Sequence, residues 1–249
     1  MLLCFDMNTV LLTSTIEPNP HILFLNIKDA WVRYKQYVQN IIKYICFSDF
    51  DSIVFCENSW FEIEDSDMLQ WIAKIFWKKL EILQFDGDHD QAVKMGRWFW
   101  ENEIIEYAIE HSKLINNSWW FIKITWRYRC ENINSIIHGS SAYDICFSKL
   151  MPVSLFTLDT KAINTALFKT SVWFFNEFLS GAGKEVNDNK INFLEHVYFR
   201  KLKKIASDIH PLAEYPQMRW ITGQWTVLKK WFLVETVMYL LHKLWITKV

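Results

Sequence analysis

The chain has 249 residues, 51% of them hydrophobic and 22% charged, with a formal net charge of -1. That composition excludes a disordered chain and speaks against a dedicated nucleic-acid binder, which carries a basic face. Five Cys without a C-x-x-C pair (Cys4, Cys46, Cys56, Cys130, Cys146) speak against a disulfide or zinc framework and fit thiols buried in a reducing compartment.

In chain order, Val10 to Ile16 is an apolar run that turns polar before Pro18 and Pro20, which predicts a buried strand ending in a loop. Apolar residues at helical spacing predict a helix over Asp29 to Tyr44. A second buried strand is expected at Ser52 to Cys56, with Glu57-Asn58-Ser59 as its polar exit. A helix follows over Ser66 to Phe76, with Ser66 as a cap, and a third strand over Leu80 to Phe85. Ile104, Ile105, Ala108 and Ile109 make one face of a helix over Glu101 to Lys113, and Phe121 to Thr125 reads as a fourth strand. Strands alternating with helices indicate an α/β fold with a mainly parallel sheet, in which ligands bind outside the carboxyl ends of the strands.

The second half is less regular. It offers a strand at Val153 to Leu158, a helix at Trp173 to Leu179 and a mobile Gly- and Asn-rich loop at Ser180 to Lys190. A helix over Asn192 to Ala206 and a terminal amphipathic helix over Val227 to Leu244 follow. The stretch Met1 to Leu12 holds Asp6 and lacks a basic segment, so it does not read as a signal peptide. Trp231 to Trp245, interrupted by Glu235, His242 and Lys243, is too short and too charged to span a bilayer. The expectation is a cytoplasmic protein.

Several segments can carry chemistry. Lys94 to Glu101 lies between a strand and a helix, where backbone N–H groups can meet a phosphate, with Lys94 and Arg97 adding charge; a plain connection fits the spacing as well. Arg127 and Arg129 alternate with apolar residues and either grip a diphosphate or face solvent on an edge strand. Asp159 ends an apolar run and could bind Mg²⁺ or Mn²⁺ through oxygen, whereas Asp86-Gly87-Asp88 reads more simply as a turn. Glu195 is either a general base or a first-turn partner of the helix dipole. Arg200, Lys201, Lys203 and Lys204 form a basic run that is either solvated or drawn to an anionic membrane surface. No H-E-x-x-H, G-x-S-x-G or Walker-type spacing is present.

Together these segments resemble bacterial glycosyltransferase-like proteins from capsule and surface-polysaccharide gene clusters. The likeness rests on Leu11 to Ile16, Ile53 to Ser59, Lys94 to Glu101 (against K-G-x-G-x-G-E), Lys123 to Tyr128 (against K-x-T-G-R-Y), Asp159-Thr160, Leu194-Glu195-His196 and Pro216 to Gly223, and so runs along most of the chain. It implies a GT-A-like fold over one domain, residues 1–249, with 1–150 as a nucleotide-binding half and 151–249 as an acceptor-side half. It implies transfer from a nucleotide-sugar donor to a glycan or lipid-linked acceptor; the near-neutral charge speaks against a nucleic-acid partner, and the basic run leaves contact at the inner face of the membrane as an option. Thr13, Ser14, Thr15, Glu57, Asn58, Lys94, Gly96, Arg97 and Arg127 would bind the donor. Glu195 would be the base, and Asp159 the residue for a divalent metal. The alternative is a non-catalytic carbohydrate-binding or scaffolding protein with a blocked donor loop.

The departures from the pattern share one form. Trp98, Trp100, Trp126, Trp220 and Trp225 stand where the family has Gly. The chain holds 6 Gly and 14 Trp, against roughly 17 glycines at the average share. Glycine serves such positions by permitting positive φ or close approach to a ligand, and Trp permits neither comfortably. The expectation is that many of these Trp codons are UGA, in a source that reads UGA as glycine.

Overall fold

The computed structural model describes residues 8–21, 27–125, 128–139, 145–147, 163–205 and 210–220. The elements of the first half are β1 (Thr9–Ser14), α1 (Ala30–Phe47), β2 (Ser52–Glu57), α2 (Ser66–Ile75), β3 (Lys79–Gln84), α3 (His89–Met95), α4 (Arg97–His111), α5 (Lys113–Asn116) and β4 (Trp120–Thr125). Then come β5 (Tyr128–Cys130), α6 (Ile133–Gly139), β6 (Ile145–Phe147), β7 (Leu167–Ser171), α7 (Val172–Phe174), α8 (Leu194–Lys203), β8 (His210–Pro211) and β9 (Met218–Trp220). Between α7 and α8 run a π-helical turn (Phe175–Leu179) and two 3₁₀ turns (Ala182–Glu185 and Asp188–Lys190).

Seven strands form one sheet in the order β3-β2-β1-β4-β7-β6-β8, and β5 and β9 form a separate antiparallel pair. β3, β2, β1 and β4 are parallel, while β7 runs antiparallel to β4 and to β6. The fold is therefore α/β with a mixed, mainly parallel sheet, and strands from both halves of the sequence share it. Alternation along the buried strands explains the two cores. Val10, Leu12, Ile53 and Phe55 face α1 in one cluster, whereas Leu11, Val54, Cys56 and Phe121 face Ile104, Ile105 and Ala108 of α4 in the other.

The four strands and three longer helices predicted in the first half fall close to their spans, while α3 and α5 have no predicted counterpart. Asp29 caps α1 by accepting the Val32 N–H at 2.9 Å. Ser66 does not cap α2; that position belongs to Asp65. α4 begins at Arg97, four residues earlier than the apolar face suggests, and α3 precedes it, so Lys94 to Glu101 is not a loop but spans two helices that break at Gly96. β7 has no counterpart among the predicted elements, because Lys169 interrupts a short run and is buried with its ammonium 4.2 Å from the Trp120 ring centroid. The predicted strand at 153–158 and the helix at 227–244 lie outside the described residues.

The end of α2 bears on the Trp surplus. The Lys78 N–H bonds the Ala73 carbonyl and the Trp77 N–H bonds the Lys74 carbonyl, which is the Schellman pattern. Its left-handed residue is Trp77, at φ +57°, with the indole 95% exposed. Nothing compensates the steric cost of a Cβ there. Trp77→Gly is expected to raise stability by about 1 kcal/mol, seen as a higher urea midpoint at unchanged slope.

Candidate active site at the carboxyl ends of the parallel strands

Because β1, β2 and β4 are parallel and in register, their carboxyl ends meet at one edge of the sheet. The exit of β1 is fixed from two sides. The Arg33 guanidinium and the Tyr37 hydroxyl of α1 donate to the Thr15 carbonyl, Arg33 through Nε at 2.8 Å and Tyr37 at 2.6 Å. From β2, Glu57 accepts the Ile16 and Ser59 N–H groups at 2.9 Å each and the Phe61 N–H at 3.2 Å. Burial raises the Glu57 carboxyl, and these N–H groups oppose the rise. Thr15 Oγ1 donates to Asn58 Oδ1 at 2.6 Å.

Thr13, Ser14, Glu57 and Asn58, expected along the donor pocket, are thus buried and tie the rim together; their side chains are not presented to solvent. Thr13 Oγ1 donates to Glu101 at 2.9 Å and Ser14 Oγ donates to the Cys56 carbonyl at 3.3 Å. Thr15 is partly exposed at the rim.

A charged cluster lies behind the rim. Lys123 of β4 is fully buried, yet all three of its donor directions are used: Glu101 Oε1, Thr125 Oγ1 at 2.7 Å and the Thr165 carbonyl at 2.7 Å. The same Glu101 oxygen accepts the Thr13 and Thr125 hydroxyls at 2.9 Å each. Burial pushes the Glu101 carboxyl up, but Lys123 and the two hydroxyls outweigh it and hold the group below the usual carboxylate range. Past Thr165 the cluster reaches Glu195 in the first turn of α8, where Thr165 Oγ1 donates to Glu195 Oε1 at 3.2 Å. Glu195 Oε2 is shielded from solvent and has no hydrogen-bond partner. Burial pushes this carboxyl up to about 7, against the opposing effects of its own backbone N–H, Thr165, Lys123 and Arg97. A carboxyl that titrates near neutrality and keeps one oxygen unengaged can accept a proton from a bound hydroxyl.

Gly96 joins α3 to α4 at φ +105°, and a Cβ there would fall 2.1 Å from the Asp188 carboxyl carbon. Only glycine satisfies both conditions. Asp188 Oδ2 accepts the Arg97 N–H at 3.0 Å, so a carboxylate holds the helix N-terminus at which the sequence suggests a phosphate. Burial raises the Asp188 carboxyl to about 6, opposed by the Arg97 charge and by the Arg97 and Trp98 N–H groups.

Asp188 belongs to the stretch expected to be a mobile loop. That stretch is instead folded onto α3 and α4. The Gly181 N–H donates to Glu106 at 2.5 Å and Asn189 Nδ2 to the Lys94 carbonyl at 3.3 Å. Lys94 is exposed, and Arg97 stands with its guanidinium carbon 4.8 Å from the Trp98 ring centroid.

Arg127 and Asp159 lie outside the described residues. Among the described residues no group of three or more His, Cys, Asp or Glu is placed to hold a metal ion. Asp86-Gly87-Asp88 does not fit one: Asp86 pairs with His89 at 3.0 Å and Asp88 caps α3 by accepting the Gln91 N–H at 2.9 Å. In the basic run, Arg200 and Lys201 pair with Glu185 at 3.7 and 3.3 Å. No helix among the described residues is long and apolar enough to cross a membrane.

Sequence reasoning singled out Glu195 but assigned no role to Glu101, Lys123, Thr125, Thr165 or Asp188. A signal existed for Lys123, a lysine in the middle of a strand that is otherwise apolar. Thr165 and Asp188 carried none.

No family model and no curated protein matches the chain. Among solved structures it is similar to a "putative nucleotide-diphospho-sugar transferase" from Desulfovibrio desulfuricans G20, at 10% identity over 82% of this chain and 79% of that one, with a TM-score of 0.47.

Proposed function

We propose that this chain is a glycosyltransferase that moves a sugar from a nucleotide-sugar donor to a hydroxyl of a glycan or lipid-linked acceptor in surface-polysaccharide synthesis, in the cytoplasm or against the inner face of the membrane. The observation that carries the reading is Glu195, a carboxyl raised to about 7 with a free, shielded oxygen at the edge where parallel strands end. In the reaction the acceptor oxygen bonds to the anomeric carbon as the bond from that carbon to the donor phosphate breaks. Glu195 takes the hydroxyl proton, and the nucleoside diphosphate leaves with the electron pair. The charge that develops on it needs fixed cations, a task for Lys94, Arg97 and Arg127. A divalent ion held by Asp159 would supply further charge stabilisation.

A second reading is favoured by one observation. The N-terminus of α4 is taken by Asp188, and its first turn carries Trp98 and Trp100. A non-catalytic carbohydrate-binding or scaffolding protein with a blocked donor loop fits that arrangement.

The two readings meet in the codons. The proposal includes UGA read as glycine in the source of this chain. Three observations independent of the motif pattern support it. Trp60 and Trp77 are two of the three non-glycine residues at positive φ among the described residues, at +54° and +57°. Trp100 is buried with its indole N–H unpartnered, an arrangement that native interiors avoid. Trp31, Trp71, Trp119 and Trp173 are each more than half exposed.

Gene sequencing tests the recoding, since UGG at positions 60, 77, 98 and 100 would overturn it. Calorimetry tests the function. Glycine at positions 98, 100 and 126 is expected to raise nucleotide-sugar affinity at least tenfold over the Trp form, and binding of an oligosaccharide without any nucleotide would favour the second reading.

A further inference from the structure

We infer that Glu101 and Lys123 are positioning residues for Glu195, acting on its proton affinity through Thr165. The inference rests on the reading of Glu195 as the base. The contact path is continuous and short. Glu101 Oε1 holds the Lys123 ammonium, the ammonium donates to the Thr165 carbonyl at 2.7 Å, and the hydroxyl of the same Thr165 donates to Glu195 Oε1 at 3.2 Å. Every donor of Lys123 is engaged, so the ammonium is held in one place. Thr165 is completely buried, and its hydroxyl orients Glu195 so that Oε2, not Oε1, is left unengaged.

The charges around Glu195 come from identifiable elements. Lys123 on β4 and Arg97 on α4 favour its ionised form. Glu101 on α4 offsets the Lys123 charge. Asp188 lies on the Arg97 N–H. On α8 itself Tyr198 donates to Asn102 at 2.8 Å and His196 Nδ1 accepts the Phe193 N–H at 3.2 Å. Glu185 on the 3₁₀ turn pairs outward with Arg200 and Lys201. A buried lysine alone would pull Glu195 into the ordinary carboxylate range, where it is too weak a base at neutral pH. With Glu101 bound to the same ammonium, the field at Glu195 is reduced, and burial leaves the carboxyl near neutrality. The pair therefore orders the base without over-stabilising its anion.

Opposite shifts follow from the two sides of the path. Thr165→Val removes the hydroxyl that stabilises the Glu195 anion and should raise its titration midpoint by on the order of one pH unit. Thr165→Ser keeps the hydroxyl and should restore the original midpoint. Glu101→Gln leaves Lys123 without its counter-charge and should lower the Glu195 midpoint by a comparable amount.

The experiment is carboxyl ¹³C NMR titration of the full chain labelled in glutamate, with the Glu195 signal assigned by its loss in Glu195→Gln. An unmoved midpoint in Thr165→Val, with a native amide spectrum, overturns the inference. So does a shift of Thr165→Val and Glu101→Gln in the same direction. Should Glu101→Gln not fold, Glu101→Asp, which draws the carboxylate back from the Lys123 ammonium, takes its place and must lower the midpoint; an unmoved midpoint there overturns the inference. Turnover is not needed, so the expected shifts in a chain that binds no nucleotide sugar would sink the glycosyltransferase reading and leave the positioning intact.

Discussion

Lys123→Met is expected to cost about 3–5 kcal/mol of unfolding free energy, because it strands the Glu101 carboxylate in the interior. Glu101 is nearly enclosed, with a side chain 13% exposed, and Lys123 is its only cationic partner among the described residues. Two threonine hydroxyls remain to it, which solvate a carboxylate poorly without a counter-charge. Removing both charges together, as Glu101→Met with Lys123→Met, should recover most of the loss, since an apolar pair of similar volume has no desolvation cost to repay.

Urea unfolding of the two single variants and the double variant measures the coupling directly. The sign with pH is fixed by Glu101. Its pKa is lower in the fold than in the unfolded chain, so its contribution is present above the unfolded carboxylate value and is lost as pH falls through the folded one. Acid should therefore narrow the gap between the parent chain and Lys123→Met.

If Glu195 is the base of the proposed transferase, Glu195→Gln is expected to lower kcat by about 10²–10⁴-fold, with donor affinity changed less than about twofold, because the amide cannot take the acceptor proton but fills the same space. The parent rate should climb as pH rises towards about 7 and level off above it, as the carboxyl becomes ionised. Stability runs the other way. Glu195 has a raised pKa, so the native state holds a proton that the unfolded chain has already released, and the fold loses stability between the ordinary carboxylate value and about 7. Glu195→Gln removes that loss and should be the more stable protein at pH 8. A variant that is both inactive and more stable is the signature of a group kept for chemistry. An inactive variant that is less stable would point to a packing role instead.

Most of the sheet was legible because burial on both faces writes continuous apolar runs. Val10 to Leu12 and Ile53 to Cys56 are such runs, Phe121 to Ile124 is one broken only by Lys123, and each became a parallel strand. The antiparallel β7 was not legible, since a strand of five residues holding a buried lysine and two hydroxyl residues has no period to read.

Of the site, Glu195 could be named from its place at the start of a helix. Its environment could not, because Thr165 is 30 residues away and Lys123 meets Glu101 only through the packing of α4 across β1 and β4. The docking of Ser180 to Lys190 was hidden for a similar reason. Glycine and asparagine predict local freedom, whereas Asp188 and Gly181 find fixed partners on α4. The Trp surplus was visible in composition, and positive φ at Trp60 and Trp77 gives it a physical meaning that composition lacks.

A glycosyltransferase of the proposed kind must receive its nucleotide sugar at the edge where β1, β2 and β4 end. The most direct test is a thermal-shift panel of nucleotide sugars on the chain with glycine at positions 60, 77, 98, 100 and 126. A ligand that binds only the native state raises the melting temperature, and the rise grows with the logarithm of its concentration above its Kd. A concentration-dependent rise is expected with one nucleotide sugar, and a smaller rise with its nucleoside diphosphate. A melting temperature unmoved by every nucleotide and nucleotide sugar at millimolar concentration would contradict the proposed function.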